Sequence, residues 1–234
     1  FPTRRSSDLA AISGLLYLWA SIFLGRFVAR VDARTMLASG ILLLCGGFVM
    51  GLLHYARMDL LFSALALCSY AAFYHAWVRP QSVACMLLAF IFGALAVLTK
   101  GPLGLALPLG ASVLFLLWRG TPMRLFRWDT LLGLLVGAVI IGSWAGAASL
   151  ELGGHEQFID LYITKQTVGR VFDAFHHQRA WYYYLAGLPL MLLPWTLLVP
   201  ALPWLAPCCK KWWQGLAASR RPECEGLAYM WCIV

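Results

Sequence analysis

A single lysine, Lys100, interrupts a long apolar stretch of the sequence. The stretch runs from Val83 to Trp118, about twice the ~20 residues that one helix needs to cross a bilayer core, and Gly101 and Pro102 follow the lysine directly. Proline lacks the N–H of a continuing helix, so the pattern predicts a helical hairpin with Lys100 at its tip. The ammonium either simply extends to the membrane interface or binds an anionic ligand there.

Asp59 begins or immediately precedes another apolar run. Its carboxylate can stabilise the first turn of that helix through the free N–H groups and the helix dipole. It can also belong to a substrate site, because ionisable groups at membrane depth are costly and tend to mark such sites. Arg57 is near enough in sequence to act as its counter-ion.

The long connection from Glu151 to Arg179 supplies the remaining candidates. Its apolar residues recur near helical spacing with charged residues between them, which predicts an amphipathic helix lying on the membrane. Arg170 in this connection is, with Lys100, the cation best placed to meet an anionic headgroup. An aromatic run containing Tyr183 follows. It is typical of an interfacial belt, and we include Tyr183 among the candidate substrate-binding residues.

No pattern of metal ligands or of a known catalytic triad stands out. No two histidines on the predicted outer side have the i, i+4 spacing that places two ligands on one helix face, and Cys208-Cys209 with Cys224 lack a paired C-x-x-C pattern. A glycine-rich phosphate loop, a Ser/His/Asp order and a paired-carboxylate motif are also missing from the sequence. We therefore predict no metal ligands and assign no cofactor.

These residues must be positioned by membrane helices. The sequence is 62% hydrophobic and 12% charged, with a mean hydropathy of +0.76, and soluble domains are far less apolar. The pattern predicts an all-α polytopic bundle of about seven spans and part of an eighth. The predicted segments are Ala10–Val28, Met36–Leu53, Leu60–Val78, Val83–Leu98, Leu103–Trp118, Thr130–Leu150, Trp181–Ala206 and a partial one from Leu227.

The basic residues indicate which side of the membrane each loop faces. Eleven of the sixteen that follow residue 9 fall in alternate loops, namely Arg26, Arg30, Arg34, Arg79, Arg119, Arg124, Arg127, Lys210, Lys211, Arg220 and Arg221. The positive-inside rule assigns these loops to the cytoplasm. The same rule explains the basic composition without a nucleic acid partner. Asp59 and Lys100 are then predicted at the same extracytoplasmic face.

Both ends of the sequence look truncated. Residues 1–9 resemble the translation of a sequencing adapter, so we interpret them as non-native and set them aside. The apolar segment that begins at Leu227 stops in mid-span. We predict that residues 10–234 form a single transmembrane domain that is an internal piece of a longer protein.

Four short motifs in fixed order carry a family resemblance. They are Ala56-Arg57-Met58-Asp59, Leu98-Thr99-Lys100-Gly101-Pro102-Leu103, Val168-Gly169-Arg170, and Trp181-Tyr182-Tyr183-Tyr184-Leu185 followed by Leu193-Pro194-Trp195. Their order and spacing resemble the bacterial membrane glycosyltransferases related to aminoarabinose transferase and the protein O-mannosyltransferases. The resemblance implies a GT-C fold with an extracytoplasmic active site and a polyprenyl-phosphate sugar donor.

The resemblance also implies roles for individual residues. Lys100 and Arg170 match basic positions that hold the lipid-linked phosphate, and Asp59 matches an acidic position at the cavity. The family's catalytic carboxylate lies in a loop that would precede Ala10, so no catalytic residue is assigned and the piece is expected to be inactive. Where aminoarabinose transferases carry Glu-His, this sequence has Lys165-Gln166, which leaves open both the use of a divalent metal and the sugar.

The predicted function is transfer of a sugar from a polyprenyl-phosphate donor to a lipid, glycan or protein acceptor. The reaction is expected at the periplasmic face of the bacterial inner membrane, among membrane lipids. Two alternatives stay open at this point: a transporter with Asp59 and Lys100 along its path, and a non-catalytic partner in envelope polysaccharide assembly. The absence of a visible internal repeat argues against an inverted-repeat transporter.

Overall fold

A computed structural model describes most of the first two-thirds of the chain. The described residues are 4–28, 58–78, 82–151 and 225–233, with isolated positions at 32, 34, 36, 39–41, 154, 156, 189, 196, 197, 200 and 207. Six α-helices lie within them: α1 (Arg4–Phe23), α2 (Asp59–Val78), α3 (Val83–Lys100), α4 (Leu103–Arg119), α5 (Trp128–Glu151) and α6 (Glu225–Ile233). A π-helical turn (Leu24–Val28) continues α1, and a 3₁₀ helix (Pro122–Phe126) connects α4 to α5.

The predicted all-α membrane architecture is confirmed. Among the described residues, four helices are long and apolar enough to cross a membrane, and α4 is a shorter apolar helix of 17 residues. Each begins and ends within a few residues of its predicted segment, although α1 extends back to Arg4, into the nine residues that we set aside. The predicted segments Met36–Leu53 and Trp181–Ala206 lie largely outside the described residues.

Helix α2 is the most buried of the four long described helices, and it packs against α1, α3 and α4. The Ser69 hydroxyl donates a buried hydrogen bond of 2.8 Å to the carbonyl oxygen of Ala89 in α3. Near it, the rings of Phe73 and Phe90 meet edge to face with centroids 5.2 Å apart, a favoured aromatic geometry. These contacts fix the rotation of α2 against α3, and therefore which side chains face each other at the helix ends.

The predicted hairpin forms where α3 ends at Lys100. Gly101 adopts φ +96°, a left-handed conformation that favours glycine, and its N–H donates to the carbonyl oxygen of Val97 at 2.7 Å. The second arm then begins at Leu103. It packs so closely on the first that a Cβ at Gly104 would overlap the backbone of Ala96. The two arms of the hairpin are therefore held together by backbone contact.

Helix α5 also packs against α3. A Cβ at Gly133 would overlap the ring of Phe90, and Gly137 lies over the same residue. Small residues at such a contact allow two membrane helices to approach closely. Phe90 thus links α5 to the aromatic contact between α2 and α3.

Candidate functional site

The structure brings Asp59 and Lys100 into direct contact. The Lys100 ammonium donates a hydrogen bond to Oδ1 of Asp59, and the two side chains form an ion pair. Asp59 is the first residue of α2 and Lys100 is the last of α3. Because these two helices run in opposite directions along one contact, the start of one lies beside the end of the other. The prediction that both residues lie at the same end of the bundle is confirmed.

Within the described residues, the partner of Asp59 is Lys100, 41 residues further along the chain. The sequence also offered Arg57 as a counter-ion, and that residue lies outside the described residues. Asp59 also lies in the first turn of α2, where a negative charge interacts favourably with the helix dipole. The carboxylate therefore stabilises its own helix end and orients the ammonium of another helix.

Phe62 is a component of the site that sequence reasoning missed. The Lys100 Nζ lies 5.7 Å from the centroid of the Phe62 ring, within the range of a cation–π contact. Phe62 follows Asp59 by three residues, so the carboxylate and the ring share one face of α2. That i, i+3 spacing was the available signal, and it becomes informative only once a cation is known to lie opposite.

The ammonium is held but still accessible. The side chain of Lys100 is 52% exposed, whereas that of Asp59 is 25% exposed. A lysine ammonium has three hydrogen-bond donors, and the described contact to Asp59 occupies one of them. The remaining donors can bind the oxygens of an anionic ligand that approaches from the helix ends.

The other predicted site residues lie outside the described part of the chain. These are Arg57, Arg170 and Tyr183, and most of the long connection that contains Arg170 also lies outside the described residues. Within the described residues, no group of three or more histidine, cysteine or carboxylate side chains could hold a metal ion.

Four apolar helices of membrane-spanning length in the described residues are those of a multi-pass membrane protein. Comparison with solved structures identifies the fold as that of ArnT from Cupriavidus metallidurans, a GT-C enzyme. The crystal structure of that protein bound to undecaprenyl phosphate has a TM-score of 0.70 at 23% identity, over 96% of this chain and 39% of that chain. The apo structure has a TM-score of 0.65 at 24% identity, over 95% and 38%.

Curated relatives agree with the structural comparison. The undecaprenyl phosphate-alpha-4-amino-4-deoxy-L-arabinose arabinosyl transferase of Shewanella sediminis is 29% identical over 86% of this chain and 36% of its own length. The protein of the same name from Pseudomonas aeruginosa (strain LESB58) is 30% identical over 77% and 34%. No family model matches the chain.

The comparisons confirm the resemblance to the aminoarabinose transferases and the predicted GT-C fold. The similarity extends over most of this chain, which spans about a third of the length of the curated relatives it matches. The two curated relatives are named for undecaprenyl phosphate, a polyprenyl phosphate, and one of the two solved structures is bound to it.

Proposed function

We propose that the complete protein is a glycosyltransferase that moves a sugar from a polyprenyl-phosphate-linked donor to an acceptor hydroxyl. The reaction takes place at the periplasmic face of the bacterial inner membrane, and residues 10–234 form part of its transmembrane domain. The main support is the half-exposed Lys100 ammonium, held by Asp59 at the end of the bundle that the loop charges assign to the outer face. The similarity to a protein solved with undecaprenyl phosphate supports the same proposal.

In the proposed reaction the acceptor oxygen attacks the anomeric carbon of the donor sugar. A new carbon–oxygen bond forms at that carbon while its bond to the phosphate oxygen breaks, and polyprenyl phosphate leaves with the bonding electrons. A carboxylate that acts as general base removes the acceptor proton. Lys100, with Arg170 from the long connection, stabilises the charge that develops on the departing phosphate.

Asp59 acts as a positioning residue in this proposal. Its hydrogen bond to Lys100 keeps the ammonium at the helix end, so that little reorganisation is needed when charge develops on the phosphate. Phe62 supports the ammonium through its ring, 5.7 Å from Nζ to centroid. The other two N–H donors of Lys100 bind the phosphate, because one donor already serves Asp59.

The acceptor and the sugar are proposed only by class. A lipid, a glycan or a protein hydroxyl satisfies the chemistry, and the departure from the Glu-His pattern at Lys165-Gln166 leaves the choice of sugar and any divalent metal to experiment.

The test is a transfer assay on the full-length protein encoded by the native gene, reconstituted into phospholipid vesicles. Undecaprenyl-phosphate-linked sugars are supplied as donors, with lipid, glycan and peptide acceptors in parallel, and the released undecaprenyl phosphate is quantified. Acceptor-dependent release that falls sharply in Lys100→Met supports the proposal. Uptake of solutes into the vesicles without any sugar transfer would refute it and favour a transporter.

A further inference from the structure

A second charged cluster lies at the end of the bundle opposite to Lys100. The guanidinium groups of Arg119 and Arg124 both donate to the carbonyl oxygen of Trp77, at 3.0 and 2.6 Å. Arg119 also pairs with Glu225 at 3.1 Å. We call Arg119, Arg124 and Arg127 the arginine patch. It joins the last turn of α2 to the connection between α4 and α5.

Among the described residues, the charges of the arginine patch are incompletely balanced. Arg127 pairs with Asp129 at 3.4 Å and Arg119 pairs with Glu225, so two described carboxylates face three guanidinium groups. Arg124 has no carboxylate within salt-bridge distance in the described ranges, and its described hydrogen bond is to a neutral carbonyl oxygen. Partial burial lowers the pKa of Arg124, and the neighbouring charges of Arg119 and Arg127 lower it further, while the carboxylates of Glu225 and Asp129 offset part of this effect. An anion placed here would offset that repulsion.

Exposed apolar side chains border the arginine patch. Met123, Phe126 and Trp128 are 78%, 74% and 60% exposed. Met123 and Phe126 lie in the 3₁₀ helix that contains Arg124, and Trp128 begins α5. Aromatic residues beside arginines at a helix end are typical of the membrane interface, where rings reach the acyl chains and charges meet headgroups. A soluble anion would use the guanidinium groups and leave these side chains in water.

We propose that the arginine patch, with Met123, Phe126 and Trp128, binds an anionic phospholipid of the adjacent leaflet. The headgroup phosphate contacts Arg124, whose remaining N–H donors suit phosphate oxygens, and the three apolar side chains lie among the acyl chains. The loop charges assign this end of the bundle to the cytoplasm. The lipid site is separate from Lys100 and does not depend on the proposed sugar transfer.

The experiment compares lipid retention by the full chain purified in mild detergent. Native mass spectrometry measures how much phosphatidylglycerol and phosphatidylcholine remain bound from an equimolar mixture. The unmodified protein is expected to retain more phosphatidylglycerol. A basic residue near an anionic membrane contributes about a fivefold preference, so Arg124→Gln should lower the preference about fivefold. Arg124→Lys keeps the charge and should retain most of it.

Matched controls separate this site from general attraction. Arg34→Gln removes the same charge from an exposed position on the same predicted side and should lower the preference less than Arg124→Gln does. About 0.5 M salt should abolish the preference of the unmodified protein, a measurement that needs no variant to fold. Inorganic phosphate at the lipid concentration should not displace phosphatidylglycerol.

Three results would overturn the proposal. They are an unmodified protein that retains both lipids equally, an Arg34→Gln loss as large as that of Arg124→Gln, and displacement of phosphatidylglycerol by inorganic phosphate. Since none of these readouts involves sugar transfer, failure of the lipid site and failure of the proposed enzyme are distinguishable.

Discussion

Replacing Lys100 by methionine in the full-length protein should reduce turnover by about a hundredfold or more. Methionine keeps the length and apolar stem of lysine but removes the positive charge that we propose stabilises the departing phosphate. Losing one such electrostatic stabiliser typically costs about 10²–10³ in turnover, or about 2.7–4 kcal/mol of transition-state stabilisation.

The structure indicates that this loss would not be caused by unfolding. The ion pair with Asp59 is partly solvent-exposed, with the lysine side chain 52% accessible, and exposed pairs contribute about 0–1 kcal/mol to stability. The thermal unfolding midpoint of Lys100→Met should therefore stay close to that of the parent. Lys100→Arg keeps the charge and should recover part of the activity, although its planar group cannot copy a lysine point charge.

A double-mutant cycle tests how Asp59 acts. Asp59→Asn removes the charge that orients the ammonium and should lower turnover by about ten- to a hundredfold, as displaced catalytic groups do. If Asp59 works through Lys100, the double variant should be no slower than Lys100→Met alone. The assay is the rate of undecaprenyl phosphate release in vesicles. Multiplicative losses in the double variant, or full turnover in Lys100→Met, would refute the reasoning.

Three stability predictions follow from the helix contacts, each measured as the thermal unfolding midpoint in detergent. Gly104→Ala should destabilise the hairpin by about 1–3 kcal/mol because its Cβ would overlap Ala96. Gly142 has open space around it, so Gly142→Ala should have little effect. Equal midpoints for the two variants would contradict the close packing at Gly104. Ser69→Ala should lower the free energy of unfolding by about 1 kcal/mol, because the hydrogen bond from Ser69 to Ala89 is lost. Ser143→Ala is the control, since the exposed Ser143 hydroxyl bonds within its own helix. Glu225→Gln should cost about 1–2 kcal/mol because it weakens a pair with Arg119 in which both side chains are largely buried; an unchanged midpoint would show that the pair does not hold α6.

The helices and the hairpin could be predicted because a membrane leaves few alternatives. Backbone groups in lipid must be hydrogen-bonded within a helix. The lengths of the apolar runs and the residues that interrupt them therefore determine where the helices begin and end. Gly101-Pro102 ended α3 where expected, and the loop charges placed Asp59 and Lys100 at one end of the bundle.

The direct pairing of Asp59 with Lys100 could not be predicted in the same way. It depends on how α2 is rotated against α3, and that rotation is fixed by contacts such as those of Ser69 with Ala89 and Phe73 with Phe90. The hydrogen bonds from Arg119 and Arg124 to Trp77 are even harder to predict from the sequence, because their acceptor is a backbone carbonyl oxygen, which every residue has.

The roles of Arg57, Arg170 and Tyr183 stay predictions, since all three lie outside the described residues. The same holds for the amphipathic helix expected in the connection between Glu151 and Arg179.

The most direct test of the central proposal is an experimental structure of the full-length protein with undecaprenyl phosphate. We predict that a phosphate oxygen lies within about 4 Å of the Lys100 Nζ, the limit of an ion pair, while Asp59 still contacts the same ammonium. A phosphate bound elsewhere, with Lys100 paired only to Asp59, would contradict the account.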